Sequence, residues 1–519
     1  MRDLLVFLFI LLSINTFSQT SPYFQTEKSV VGRFYGNDSI IHGTQYSFND
    51  YIYDYDLDTL NNTLFVQLRG VKRDKYWKDN GLACQINLQS EKLYWQKKTD
   101  FKKEYYHQFG NYIFSSDGKS STLYHTQLGT KLWSANISFC YVNHSNQIGI
   151  GYNNNQEGDH LYGIDLQTGK ERWNRQIVRE YGWDEIRYID DSTLLIVANG
   201  LHAINIFNGK GWDINLSSGD ESYGKAVAGA VGGLALGILT GTYVIPNGNA
   251  TITSGLISNT LIDSCYIYIA SKNRIIKVNK KDGKPVWNHA FGEVECGKST
   301  LFFNDTLVYM IHNGSAQKEG KTIDFAKPFF AAYNRENGNE IFNTELKTRH
   351  SIIDFDFLGG DCIYLLSENE IVACSLHNGQ MQTRKTYTGK TVSSFLYSIG
   401  NRFLKDDAEE GYITFNQSDT TAFFILTDEG NILKINESLE IEKTYAKQDF
   451  KYLRYAYDSL FFIDDSEKTI IFDKNTKSKI GEIDIPFLTF DGNKAFKAQK
   501  DKLTIIDLDS ILKLSKTAE

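Results

Sequence analysis

The chain has 519 residues, 41% of them hydrophobic, with 33 Phe, 31 Tyr, 41 Gly and 5 Pro: too apolar for a disordered chain and long enough to bury a large core. Its 55 Lys and Arg stand against 63 Asp and Glu, a net charge of −8, so no basic face is obvious and neither nucleic acid nor anionic lipid is an expected partner. Six cysteines at 84, 140, 265, 296, 362 and 374 are too scattered for a dense disulfide framework or a CxxC zinc site.

Residues 4–12, LLVFLFILL, follow Met1-Arg2 and precede a small-residue site at Thr16-Phe17-Ser18. Such a run is too short for a membrane span and reads as a secretory signal over residues 1–18, cleaved on export. The first cysteine is Cys84, so the cysteine that carries a bacterial lipoprotein's acyl chains is missing and soluble export, secreted or periplasmic, is expected. Next comes a carboxylate ladder, Asp50, Asp54, Asp56 and Asp58, without the Gly and Glu that a calcium-binding EF-hand loop needs. It reads as a solvated strand face.

From residue 60 a unit repeats. In LYGIDLQTGKERW a strand ends at Asp165, a turn carries Gly169 and the next strand carries Trp173, marks at offsets 0, +4 and +8. The frame recurs at Asn87 (Trp95), His125 (Gly129, Trp133), Asn279 (Gly283, Trp287) and Asn334 (Gly338, Phe342), and one residue shorter at Asn205 (Gly209, Trp212). Weaker copies start at Ser375, Asn436, Asp473 and Asp507. An Asx side chain bonds the turn backbone, Gly takes positive φ, and the aromatic fills space between sheets. Most starts lie 34–41 residues apart, near the roughly 40–45 of a four-stranded propeller blade. The expected fold is all-β, a single β-propeller of four-stranded blades spanning 60–515, with residues 19–59 as an N-terminal segment that closes the ring. Ten starts exceed the usual range of about 4–8 blades, and if weak starts share blades the count is about eight.

The Asx-x-x-x-Gly-x-x-x-Trp pattern resembles the tryptophan-docked repeats of pyrroloquinoline-quinone-like propellers, a superfamily that holds quinoprotein alcohol dehydrogenases and the propeller subunit of the outer-membrane barrel-assembly machinery. The resemblance covers roughly residues 60–515 and implies Trp95, Trp133, Trp173 and Trp287, with Gly169, Gly283 and Gly338, as structural repeat residues. The quinone-using members carry adjacent cysteines, absent here, so neither that quinone nor its calcium is expected as a cofactor.

Residues 292–299, GEVECGKS, spell a phosphate loop, but the residues that follow read as strands instead of a helix. Residues 219–256 are a glycine- and alanine-rich insertion. Within it, 226–245 carry no charge, and Gly229, Gly233, Gly237 and Gly241 recur every fourth residue, one smooth face on a helix. Three placements stay open for this segment: a helix or hairpin packed on the propeller, a protein-docking or membrane-surface element, and a span, which topology opposes. The expected function is a non-catalytic scaffold binding a protein partner in a bacterial cell envelope, with peripheral membrane contact through 226–245. The alternatives are a quinoprotein dehydrogenase or other channel-site enzyme, and a glycan or small-ligand receptor.

Overall fold

In the computed structural model the described residues are 24–516, apart from 36–38, 74, 111, 144, 154–159, 178–184, 199, 217–218, 222–251, 255, 292–296, 319–320, 358–359, 388–391, 396–401, 406–411, 415–421, 447–449, 466 and 477. They form short antiparallel strands and one helix, Leu508–Lys516. Strands such as Thr193–Ala198 and Gly200–Asn205 are buried nearly throughout, because each sheet has a neighbour against both faces. Ten four-stranded units follow in chain order, eight as separate sheets and the last two joined in one larger sheet through Phe24–Phe34, which we number as blades: 51–100, 105–135, 138–176, 185–215, 261–290, 299–345, 354–386, 392–445, 450–483, and 489–507 completed by Ile40–Phe48.

Each of the ten starts is the turn or link after the third strand of its own sheet, so the described residues hold ten blades instead of about eight. The first mark explains why weak copies still count. At every start its side chain accepts a backbone N–H two or three residues on: Asp165 from Gln167 at 3.0 Å, His125 through Nδ1 from Gln127 at 3.2 Å, Ser375 from His377 at 3.2 Å, Asn436 from Ser438 at 3.1 Å. Asp507 accepts from Asp509 at 3.2 Å and leads into the helix, so the last blade takes its fourth strand from the N-terminal segment.

Aromatic joints link successive blades. The Trp133 indole of blade 2 lies on the turn of blade 3, donating Nε1–H to Leu166 O at 2.9 Å. Gly169 sits beneath it at φ +69°, and a Cβ there would stand 2.5 Å from the ring. Trp95 over Gly129, Trp173 over Gly209, Trp212 over Gly283 and Trp287 over Gly338 repeat the joint, and each indole N–H donates to a carbonyl of the next blade at 2.6–3.2 Å. Phe342 takes the place over Gly379. Shared hydrophobic clusters fill the gaps between successive blades from 1 to 8, between 9 and 10, and between 10 and 1. Blades 8 and 9 share no cluster among the described residues; there a hairpin from blade 8, Arg402–Lys405 with Tyr412–Thr414, pairs along the first strand of blade 9.

Closure falls to the N-terminal segment. Ile40–Phe48 pairs with Lys502–Asp507 as the outer strand of blade 10, and Phe24–Phe34 pairs both with it and with Lys479–Ile483 of blade 9. Tyr51–Asp58 is the first strand of blade 1, so Ile40–Phe48 and Tyr51–Asp58 of the N-terminal segment both belong to blades. Buried Glu482 binds the seam: Lys468 Nζ reaches its carboxylate at 2.6 Å, Arg33 at 3.3 Å, and Tyr35 donates its hydroxyl. Lys468 and Tyr35 hold its carboxyl down at about 2.

Two expectations follow. Gly169→Ala forces a side chain into positive φ against Trp133, and should lower unfolding stability by about 2 kcal/mol in urea titration. Glu482→Gln should lower it by about 2 kcal/mol at neutral pH. Because the folded pKa lies below the unfolded one, the wild-type advantage is complete above pH 4.5 and should shrink as pH falls towards 2.

Candidate functional site

An antiparallel meander sorts its connections by face. The links between strands one and two, and three and four, lie on one face, which carries the Asx turns. Those between strands two and three, and between blades, lie on the other, the link face. On the turn face a cavity of about 520 Å³ opens between blades 4 and 5, lined by Asp190, Lys210, Trp212, Cys265 and Lys280 among others.

Two structures rise from the link face that the ring does not need. The second and third strands of blade 1, Thr63–Lys72 and Tyr76–Asn87, have 10 and 12 residues, against four to six for their counterparts in the other blades. Their excess extends a hairpin beyond the ring. Elsewhere on this face a further four-stranded sheet combines Gly219–Glu221 and Ile252–Ser254, from the link between blades 4 and 5, with the hairpin Ser315–Lys318 and Lys321–Asp324 of blade 6. Fully buried His312 anchors that hairpin, its Nε2 accepting from Gly297 N and its Nδ1 donating to Lys327 O at 3.0 Å. Burial holds its imidazole down at about 4, so it stays neutral.

First strands line the axis and are stapled to one another by side chains. Asp56 accepts from Gln108 N at 3.4 Å, Glu185 from Thr260 Oγ1 at 2.5 Å, and Asp354 from Phe395 N at 2.8 Å; Asn259 exchanges two bonds with Leu301. The ladder in blade 1 is therefore not a fully solvated face. Burial, reinforced by Asp54, lifts Asp56 to about 6, and burial lifts Asp356 likewise to about 6. These carboxylates stand in separate pairs on blades 1 and 7, and no three His, Cys, Asp or Glu among the described residues form a metal-holding group.

Trp95, Trp133, Trp173 and Trp287, with Gly169, Gly283 and Gly338, stand at the joints between blades and not on the axis. Gly229, Gly233, Gly237 and Gly241, the signal segment 1–18, Trp183 and Cys296 lie outside the described residues. The described part of the phosphate-loop lookalike enters a strand at Ser299. The five described cysteines are free thiols. The composition also concealed a basic patch: RGVKRDKYWK, residues 69–78, holds five cations and one anion, with Asp79 next to it on the blade 1 hairpin. A local charge count was the signal that would have found it.

No family model and no curated protein matches the chain. Among solved structures it is similar to BamB from Moraxella catarrhalis, at 13% identity over 78% of this chain and 96% of that one, with a TM-score of 0.30. It is also similar to the computationally designed Ika8 protein (11% identity, 72% and 96% covered, TM-score 0.32) and to the C-terminal WD40 domain of Sif2 (12%, 90% and 98%, TM-score 0.24). The propeller architecture stands on the sheets and joints described above.

A carboxyl raised from its ordinary value makes folding harder at neutral pH. Asp56→Asn should therefore stabilise the protein by about 1 kcal/mol at pH 7.5. Its folded pKa exceeds the unfolded one, so the wild type recovers stability as pH falls from about 6 to 3.8, and the difference should vanish near pH 4 in melting curves.

Proposed function

We propose that the protein is an exported, non-catalytic β-propeller that holds a protein partner in a bacterial cell envelope. The observation that carries this reading is the pair of structures raised from the link face, the extended hairpin of blade 1 and the added sheet, neither of which closes the ring. The Asx–Gly–Trp frame supports a place beside the pyrroloquinoline-quinone-like propellers, and residues 1–18 support export with the signal removed.

The strands at the two ends of the glycine-rich insertion, Gly219–Glu221 and Ile252–Ser254, are paired with Glu221 opposite Ile252, so the two ends of the insertion lie side by side on the link face. The thirty intervening residues are fewer than the roughly forty that two helical crossings of a bilayer need. Residues 226–245, with Gly229, Gly233, Gly237 and Gly241, are accordingly proposed as a docking element that touches the partner or a membrane surface.

Cross-linking and affinity purification from the native envelope, using the full chain beside a deletion of 226–245 that keeps its melting curve, test this reading. One partner recovered reproducibly with the full chain and lost with the deletion is the expected result. No partner in either case would contradict the scaffold.

A further inference from the structure

The blade 1 hairpin combines features that the ring does not use. Its second strand exceeds its counterparts by four or five residues, which carries the tip about 13–17 Å beyond them, and the further surplus of the third strand is taken up where the register shifts between Arg69 and Val71. The tip turns through Arg73, at φ +52°, with Lys75 N donating to Lys72 O at 3.2 Å. Lys72, Arg73, Lys75 and Lys78 are exposed and have no carboxylate partner among the described residues. Two aromatic side chains stand with them in the open, Tyr76 at 57% exposure and Trp77 at 41%.

The base of the hairpin is braced. The Arg69 guanidinium lies 4.5 Å from the centre of the Tyr53 ring and 4.8 Å from that of Phe101, and its Nε donates to Lys78 O at 2.8 Å. Trp77 meets Tyr53 edge-on at 5.3 Å. This packing holds the tip without covering it.

We propose that the tip of this hairpin is a membrane-surface contact that binds anionic phospholipid headgroups. Five cations against one anion in residues 69–78 oppose the −8 of the whole chain, so charge complementarity selects a negative surface. Tyr76 and Trp77 are consecutive strand residues and face opposite sides, with cations around both. A two-sided tip suits immersion in a fluid headgroup layer, where Trp and Tyr settle at the interface, better than it suits one wall of a shaped protein groove. The proposal does not depend on which protein the scaffold holds, nor on residues 226–245.

Flotation of the full chain with vesicles of phosphatidylcholine, with and without phosphatidylglycerol, tests it. Binding is expected to require phosphatidylglycerol and to weaken with added salt. Lys72→Glu/Arg73→Glu/Lys75→Glu should lower vesicle partition about 100-fold with an unchanged melting curve, and Lys72→Arg/Arg73→Lys/Lys75→Arg should retain it. Wild type that ignores anionic vesicles, or a charge-reversed variant that binds as well as wild type, would overturn the proposal. So would loss of a cross-linked protein partner on charge reversal in a chain that binds no vesicles, since the hairpin would then dock an acidic protein. Failure to recover any partner from the envelope would bear on the scaffold and leave the vesicle result standing.

Discussion

The architecture depends on one contact, an indole laid flat on a glycine of the next sheet. A propeller blade is apolar on both faces and cannot be stable alone, so each sheet must find its successor. The joint fixes how they meet. The Trp133 ring excludes any Cβ at position 169, and its N–H satisfies the Leu166 carbonyl, which ties the outer strand of one blade to the third-strand turn of the next. Repetition of a contact with a fixed direction generates a ring, and a ring leaves a seam to be closed. Here the N-terminal strands close it, one completing blade 10 and the other bridging to blade 9, with Glu482 as the ionic staple.

Much of this was legible in the sequence because the joint needs particular residue types at fixed offsets. The Asx acceptor, the positive-φ glycine and the indole leave a trace that survives loss of one or two marks. The blade count was less legible because the glycine and the aromatic are dispensable when the acceptor remains: at Asn436 the turn uses Leu439 at φ +62° in place of Gly. The added sheet could not be read at all. Its strands are three or four residues long, too short for periodicity, and its two halves, one of them the hairpin of Ser315–Lys318 with Lys321–Asp324, come from segments some sixty residues apart in sequence.

The two faces differ in kind. Short Asx turns make the turn face repetitive, interrupted by the cavity between blades 4 and 5, while the link face carries structures of uneven length that serve no blade joint. Along the axis, Asp56 and Asp356 are held partly buried with raised pKa values, yet their carboxylates also cap backbone groups between strands or stand beside those that do. The overall charge predicts no basic surface, and the blade 1 hairpin departs from that expectation. The hairpin shows why a sum is a poor guide to a partner: five cations in ten residues vanish within a net −8 but dominate the field at their own tip.

The central claim is that the chain forms one ring closed by its N-terminal strand. Native-state hydrogen exchange resolved to Ile40–Phe48 tests it most directly. In a closed ring the amides of this strand that pair with Lys502–Asp507 exchange as slowly as those of Lys494–Gln499 and open with them as one unit. Rapid exchange in Ile40–Phe48 beside full protection of Lys494–Gln499 would contradict closure.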